Sequence, residues 1–249
     1  MNKDNTVLKV TDLRVQYDDY ILFEALNFEL YQGEIVMVMG SSGCGKSTLL
    51  RLLIGLDIPT SGHIEIDGDE LSSISLLARK IGMMFQSGAL LGSYTLLQNL
   101  LLPLKTHTDL DDEACQYIAL EKLNVVGLQG FADYYPSEIS GGMLKRAAIA
   151  RTLILEPGIM LLDEPSAGLD PITSAELDTL IKQLADTLGL SFLIVTHELR
   201  SVFAIASRII LLNQKVKGIV ESGVPATIRS HTKNPWVKQF LDVTEKDVY

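Results

Sequence analysis

Cysteine is scarce in this sequence: Cys44 and Cys115 are the two in 249 residues, far apart and with no neighbouring Cys at ligand spacing. That excludes a disulfide scaffold and a cysteine-built metal site, and implies free thiols in a reducing compartment. Basic charge is also in deficit. With 21 Lys+Arg against 31 Asp+Glu the formal charge is −10, and no block of Lys or Arg offers the footprint that binding a phosphate backbone needs. No nucleic-acid partner is expected. Residues 1–6 are polar and lack the apolar core of a secretion signal. The stretch 81–104 is uncharged, yet Gln86, Ser87, Ser93, Gln98 and Asn99, among glycines and Pro103, would strand polar groups in lipid. The chain is therefore expected in the cytoplasm, with any membrane spans supplied by another chain. Pro- or Ser-rich linkers, low-complexity tracts and solenoid-type repeats are missing as well, which leaves one unit over 1–249.

What is present is a globular composition, 47% hydrophobic, long enough for one sizeable core. Apolar patterning predicts two early strands over 7–15 and 21–30, split by a turn at Tyr17-Asp18-Asp19-Tyr20. Further strands are expected over 34–39, 63–67, 81–85, 159–163, 191–196 and 209–213. Helical periodicity covers 46–56, the run 93–155 (clearest over 111–126 and 142–155), 171–188 and 198–206. Strands alternating with helices imply an α/β fold with a mostly parallel sheet, into which 93–155 inserts a helical lobe. The expected division is 1–87 and 158–222 for the core, 88–157 for the helical subdomain and 223–249 for a helical tail. In that tail Asn234 and Pro235 suit a helix start. Trp236, Val237, Phe240 and Leu241 share one face, which either packs on its own domain or meets a second subunit.

The segment Gly40-Ser41-Ser42-Gly43-Cys44-Gly45-Lys46-Ser47 fits G-x-x-x-x-G-K-[ST] between a strand and a helix, with Thr48 in the helix's first turn. Its glycines let backbone N–H groups converge on an anion, and the helix that follows adds its positive end. Lys46 is placed to reach the β/γ-phosphates of a nucleotide, and Ser47 to offer a hydroxyl to Mg²⁺. Asp163 ends the apolar run Ile159-Met160-Leu161-Leu162, where a strand delivers a carboxylate to Mg²⁺ at the carboxyl edge of a sheet. Glu164 follows. Strand alternation turns it away from its neighbour and leaves it free to face water, so it is assigned as general base. His197 lies just past the next strand, as a phosphate sensor or a structural histidine. Ser140-Gly141-Gly142-Met143 opens a helix with Ser140 as N-cap, and the glycines admit either a close anion or an ordinary capped start.

Taken in order, Gly40 to Ser47, Gln86, Ile139 to Met143 (ISGGM), Ile159 to Glu164, Ser166 to Asp170 (SAGLD) and His197 resemble an ABC transporter nucleotide-binding subunit over nearly the whole chain. The resemblance implies a RecA-like P-loop core, an antiparallel β subdomain and an inserted helical subdomain. It also implies a head-to-tail pair of copies that sandwich two ATP molecules. By the same resemblance Tyr17 stacks on adenine, Gln86 lies near Mg²⁺ and the attacking water, and His197 meets the γ-phosphate. Ser140, Gly141, Gly142, Met143 and Asp170 would then contact the ATP held by the other copy. Ile139 and Met143 depart from the usual LSGGQ. Together with Phe85 to Leu90 (FQSGAL) and Gly168 to Ile172 (GLDPI), they resemble the ATPases of Mla-type phospholipid transporters. That resemblance implies a separate permease, MCE-family and small accessory subunits, and a place on the cytoplasmic face of the inner membrane. Another cargo, or a soluble ABC ATPase without transport, remains the alternative. The segment from Ser87 to Leu91 is expected either to receive a permease helix or to pack into the core.

Overall fold

A computed structural model describes residues 5–70 and 79–246. Strands β1 (Thr6–Tyr17) and β2 (Tyr20–Tyr31) form the expected antiparallel hairpin, its last pair Tyr17 opposite Tyr20, with Asp18 at φ 47° in the turn between them. Strand β4 (Ser61–Ile66) lies antiparallel to the other edge of β1, and the short β5 (Asp69–Glu70) extends that sheet. The second sheet comprises β3 (Ile35–Gly40), β6 (Ile81–Met84), β7 (Ile159–Asp163), β8 (Ser191–Val195), β9 (Arg208–Asn213) and β10 (Gly218–Gly223). Its order among the described residues is β10-β9-β3-β8-β7-β6, parallel throughout except for β10.

Alternation along the central strands divides the apolar residues between two cores. Ile35, Met37 and Met39 of β3, with Met160, Leu162, Phe192 and Ile194, face the helices and form one buried cluster. Val36 and Val38, with Ile159, Leu161, Leu193 and Val195, face the other way and join Leu8, Phe23 and Leu30 of the hairpin. A parallel sheet covered on both faces has near-continuous apolar strands for this reason. β3 is buried at every residue.

Helix α1 (Lys46–Leu53) follows β3. The expected helical run over 93–155 is three helices, α2 (Leu96–His107), α3 (Asp112–Val125) and α4 (Gly141–Thr152), with two 3₁₀ turns, Gln129–Phe131 and Pro136–Glu138, between α3 and α4. Pro103 sits inside α2. The buried Asn99 amide fixes the approach to α2: its oxygen accepts from Leu91 N at 2.8 Å and its NH₂ donates to the carbonyls of Leu91, Tyr94 and Thr95. Leu91 itself is exposed, which disfavours core packing for that residue.

Helix α5 (Pro171–Leu188) follows β7 at the predicted bounds, and α6 (Leu199–Ile205) follows β8. Strand β10 was not legible in the sequence, and the expected helical tail over 223–249 opens with a helix of its own, α7 (Pro225–His231). In α8 (Pro235–Lys246) the Asn234 side chain accepts from Trp236 N at 3.0 Å and Val237 N at 3.4 Å. Val237 and Leu241 are buried in the core, so that face of the tail helix packs on its own domain. Among the described residues no helix is long and apolar enough to cross a membrane.

Candidate functional site

Register assembles the site. Val38 of β3 pairs with Val195 of β8, and Val195 pairs with Asp163 of β7, so three strands end side by side at their carboxyl edge. Cross-bonds just beyond the strands tighten this edge: Glu164 N donates to Val195 O at 2.8 Å and Thr196 N to Val38 O at 3.2 Å. A parallel sheet binds its ligands at such an edge. The Gly40 loop, the Asp163-Glu164 pair and His197 are thereby brought together.

The loop is held from below by the hairpin. Gly45 adopts φ 100°, and a Cβ there would fall 2.5 Å from the ring of Phe23, which is fully buried. Gly45→Ala is expected to destabilise the chain by about 1–3 kcal/mol, from steric overlap and a left-handed backbone. It should also weaken ATP binding at least about tenfold, because a displaced loop loses convergent N–H groups. Calorimetric titration with ATP and a urea midpoint read both effects, and two unchanged values would rule out this support.

Lys46 is buried, its ammonium donating to Gly40 O at 2.8 Å and Ser41 O at 3.2 Å, so it folds over the loop it belongs to. Ser41, Ser42, Gly43 and Ser47 are exposed, and Gly45 and Thr48 half-buried. The Cys44 side chain turns away from the loop: it is buried in the hairpin-side core, burial pushes its thiol pKa up, and its N–H goes to Ser41 O at 3.3 Å. Tyr17 is half-exposed at the hairpin tip.

Asp163 receives a hydrogen bond from the Ser47 hydroxyl, which holds its pKa down while burial, the larger effect, pushes it up. Glu164 overturns the expectation that it faces water. It stands just past the strand at φ 48°, 8% exposed, a left-handed conformation that costs a non-glycine residue about 1–3 kcal/mol. His197 N donates to Oε2 at 3.3 Å and His197 Nε2 lies 2.7 Å from Oε1. That ring contact is close but poorly aligned, so Oε1 is left without a well-formed hydrogen bond. Burial raises the Glu164 pKa to about 7, and burial followed by the Lys46 charge pushes His197 below its ordinary value. A carboxyl poised near neutrality beside a neutral imidazole suits proton transfer at physiological pH.

Other predicted residues have roles inside the chain as well. Ser140 caps α4 through Met143 N at 3.3 Å. A Cβ on Gly142 would meet Thr173 Cγ2 at 2.3 Å, so close packing of α4 on α5 demands that glycine. Gly141 lies over Leu169. Asp170 caps α5, accepting from Ile172 N, Thr173 N and the Thr173 hydroxyl, and these bonds hold its pKa down. The SGGM start and the SAGLD segment therefore form one patch. Gln86 lies just beyond β6, exposed, its main-chain carbonyl accepting from Lys145 Nζ at 2.6 Å. Lys145, within charge-interaction range of Asp163 and Glu164, had no signal in the sequence.

Ser47 and Asp163 are hard oxygen donors in mutual contact, a pairing that suits Mg²⁺, which uses few protein ligands beside water and phosphate oxygens. Among the described residues there is no cluster of three or more His, Cys, Asp or Glu groups able to hold a metal by themselves.

Comparison with known proteins agrees with this geometry. The family described as ABC transporter matches residues 23–167. The chain is 37% identical over 219 residues to the intermembrane phospholipid transport system ATP-binding protein MlaF of Haemophilus influenzae, covering 86% of this chain and 83% of that one. It is 39% identical over 222 residues to the glycine betaine transport ATP-binding protein OpuAA of Bacillus subtilis, covering 87% of this chain and 52% of that one. Among solved structures it is similar to the ATP-binding cassette MJ0796, dimeric in a post-hydrolysis state with ADP and Pi. The TM-score is 0.77 at 31% identity, over 87% of this chain and 98% of that one. By fold, site and sequence, the chain belongs to the ABC transporter family, as an ATPase cassette.

Proposed function

We propose that this cassette drives phospholipid movement between the inner and outer membranes, with ATP hydrolysis at the edge formed by β3, β7 and β8. The observation that carries the hydrolytic reading is Glu164, a buried carboxyl with a pKa near 7 beside His197, next to an anion-binding loop. ATP lies on Gly40 to Thr48 with its adenine on Tyr17, and Lys46 exchanges the loop carbonyls for phosphate oxygens. Ser47, Asp163 and Gln86 would hold Mg²⁺, which when bound would supply screening of the phosphate charge. Glu164 takes the proton of the attacking water and His197 donates to the γ-phosphate. Ser140 to Met143 and Asp170 of a second copy close over the nucleotide, so that the working unit is a head-to-tail dimer. The subdomain division is 1–87 with 158–222, 88–157, and 223–249.

The phospholipid cargo is supported by the likeness to the MlaF relative and by the FQSGAL, ISGGM and GLDPI segments. The protein then works on the cytoplasmic face of the inner membrane with a separate permease, MCE-family and small accessory subunits. The exposed Phe85, Leu91 and Tyr94 offer that permease an apolar footing. Affinity capture of the detergent-solubilised complex through this chain, followed by protein and lipid mass spectrometry, tests the proposal. An MCE-family partner with bound phospholipid is the expected result. A permease without lipid would transfer the ATPase to another cargo, and ribosomal or DNA-repair partners would overturn the transporter role.

A further inference from the structure

One face of α4 runs along the whole segment that carries Gln86. Thr152 Oγ1, which donates to Ala148 O at 2.8 Å, lies 3.4 Å from Met83 O, and Arg151 Nη1 donates to Ala89 O. A methyl on Gly88 would stand 3.2 Å from the Ala148 Cβ. At the N-terminal end of the same face Lys145 Nζ donates to Gln86 O at 2.6 Å. Positions 145, 148 and 152 recur at helical spacing, so the contact is continuous rather than a chance meeting of side chains. Ala148 and Thr152 pack the helix on the segment. Lys145 adds something packing does not need: a half-buried ammonium spent on a main-chain carbonyl, with Glu164 and Asp163 near enough to favour its charge. Placing an ammonium out of water is costly unless it is well bonded, so its position calls for a further return.

We propose that Lys145 is a positioning residue for ATP hydrolysis, fixing the main chain of Gln86 so that its side chain is held in line with Asp163 and Glu164. The proposal rests on the reading above in which Gln86 reaches Mg²⁺ and the attacking water. Lys145 touches neither nucleotide nor water in this scheme and acts through Gln86 alone. Because α4 begins at Gly141, the same rigid helix joins the patch that meets the other copy's ATP to the residue that lines its own.

The test is a double-mutant cycle on the full chain purified with its permease, reading steady-state ATP turnover and binding of a fluorescent ATP analogue. Lys145→Met is expected to lower kcat about tenfold with KM and analogue affinity within about twofold of wild type. Lys145→Arg, which still donates to a carbonyl, should recover most of the loss. In a Gln86→Ala background, where the carbonyl remains and the side chain is gone, Lys145→Met should add less than about a twofold further loss. Losses that multiply in the double variant, a matched rise in KM, or an unchanged kcat in Lys145→Met would each overturn the proposal. Unchanged turnover in Gln86→Ala alone would instead remove the role of Gln86, and the Lys145 proposal with it. Should Lys145→Met fold poorly, Lys145→Gln takes its place under the same criteria.

Discussion

Glu164→Gln is expected to lower ATP turnover by about two to four orders of magnitude while leaving ATP binding intact. The amide keeps the shape of the carboxyl and its acceptor for His197 N, but it takes up no proton. ATP-bound dimer should accumulate, visible by size-exclusion with light scattering. Unchanged turnover would remove Glu164 as the base. In the wild type a base with a pKa of about 7 in the free protein gives a kcat/KM that rises with pH through neutrality.

The same shift predicts a stability effect of defined sign in protein free of Mg²⁺ and nucleotide. Glu164 ionises at about 7 in the folded chain against 4.5 as its ordinary value, so folding favours the protonated form. Its contribution to stability is fully present below about pH 4.5 and is lost as pH rises through 7. Glutamine carries no charge at any pH and escapes that loss. Glu164→Gln should therefore be more stable than wild type above about pH 8, by up to about 3 kcal/mol, with the difference fading towards pH 4. Urea unfolding at both extremes reads it, and a pH-independent difference would contradict the buried-acid account.

Arg208→Met is expected to cost about 3–5 kcal/mol. Its guanidinium grips the buried Glu34 through both carboxylate oxygens, Nε to Oε1 and Nη2 to Oε2 at 2.7 Å each, and donates again to Glu29 O at 2.6 Å. It also lies over the Tyr31 ring, 5.7 Å from its centroid. The pair ties the end of the hairpin to the first residue of β9, the strand next to the one that leads into the Gly40 loop. Removing the arginine leaves a carboxylate stranded away from water, and that desolvation, rather than the lost attraction, dominates the cost. Glu34→Gln combined with Arg208→Met should therefore recover much of the loss. A fall below about 1 kcal/mol for Arg208→Met would place the pair with exposed ion pairs instead.

The surroundings of three of the site residues have one origin outside their local sequence. Glu164 was legible as the residue after a strand, and its type pointed to a base, but alternation says nothing of a residue whose backbone has left the strand at φ 48°. Its burial comes from Val195 and His197, more than thirty residues away in sequence. Gly142 admits a close anion or an ordinary capped start as far as its sequence goes, and inside the chain a close approach is present as well. The approach is made by Thr173, on a helix whose packing angle no local pattern encodes. Cys44 lies within a phosphate-binding motif, yet its side chain turns into the core that the hairpin completes. The exposed Ile172 and Leu188 at either end of α5 did not disturb the 171–188 reading, because a Pro at the start and a left-handed Gly189 at the end bound that helix locally.

From the sequence by itself came the strands and helices whose signals repeat within a few residues, the spacing of the Gly40 to Ser47 loop, the carboxylates at the end of β7 and the α/β class. Those features are legible because periodicity, caps and tight turns are short-range physics. Only the tertiary structure decided that Glu164 is buried with a pKa near 7, that Phe23 supports Gly45, and that Lys145 reaches Gln86 across 59 positions. Burial and long-range hydrogen bonding depend on which elements become neighbours, and that is settled by the packing of two cores on one sheet rather than by any local run of residues.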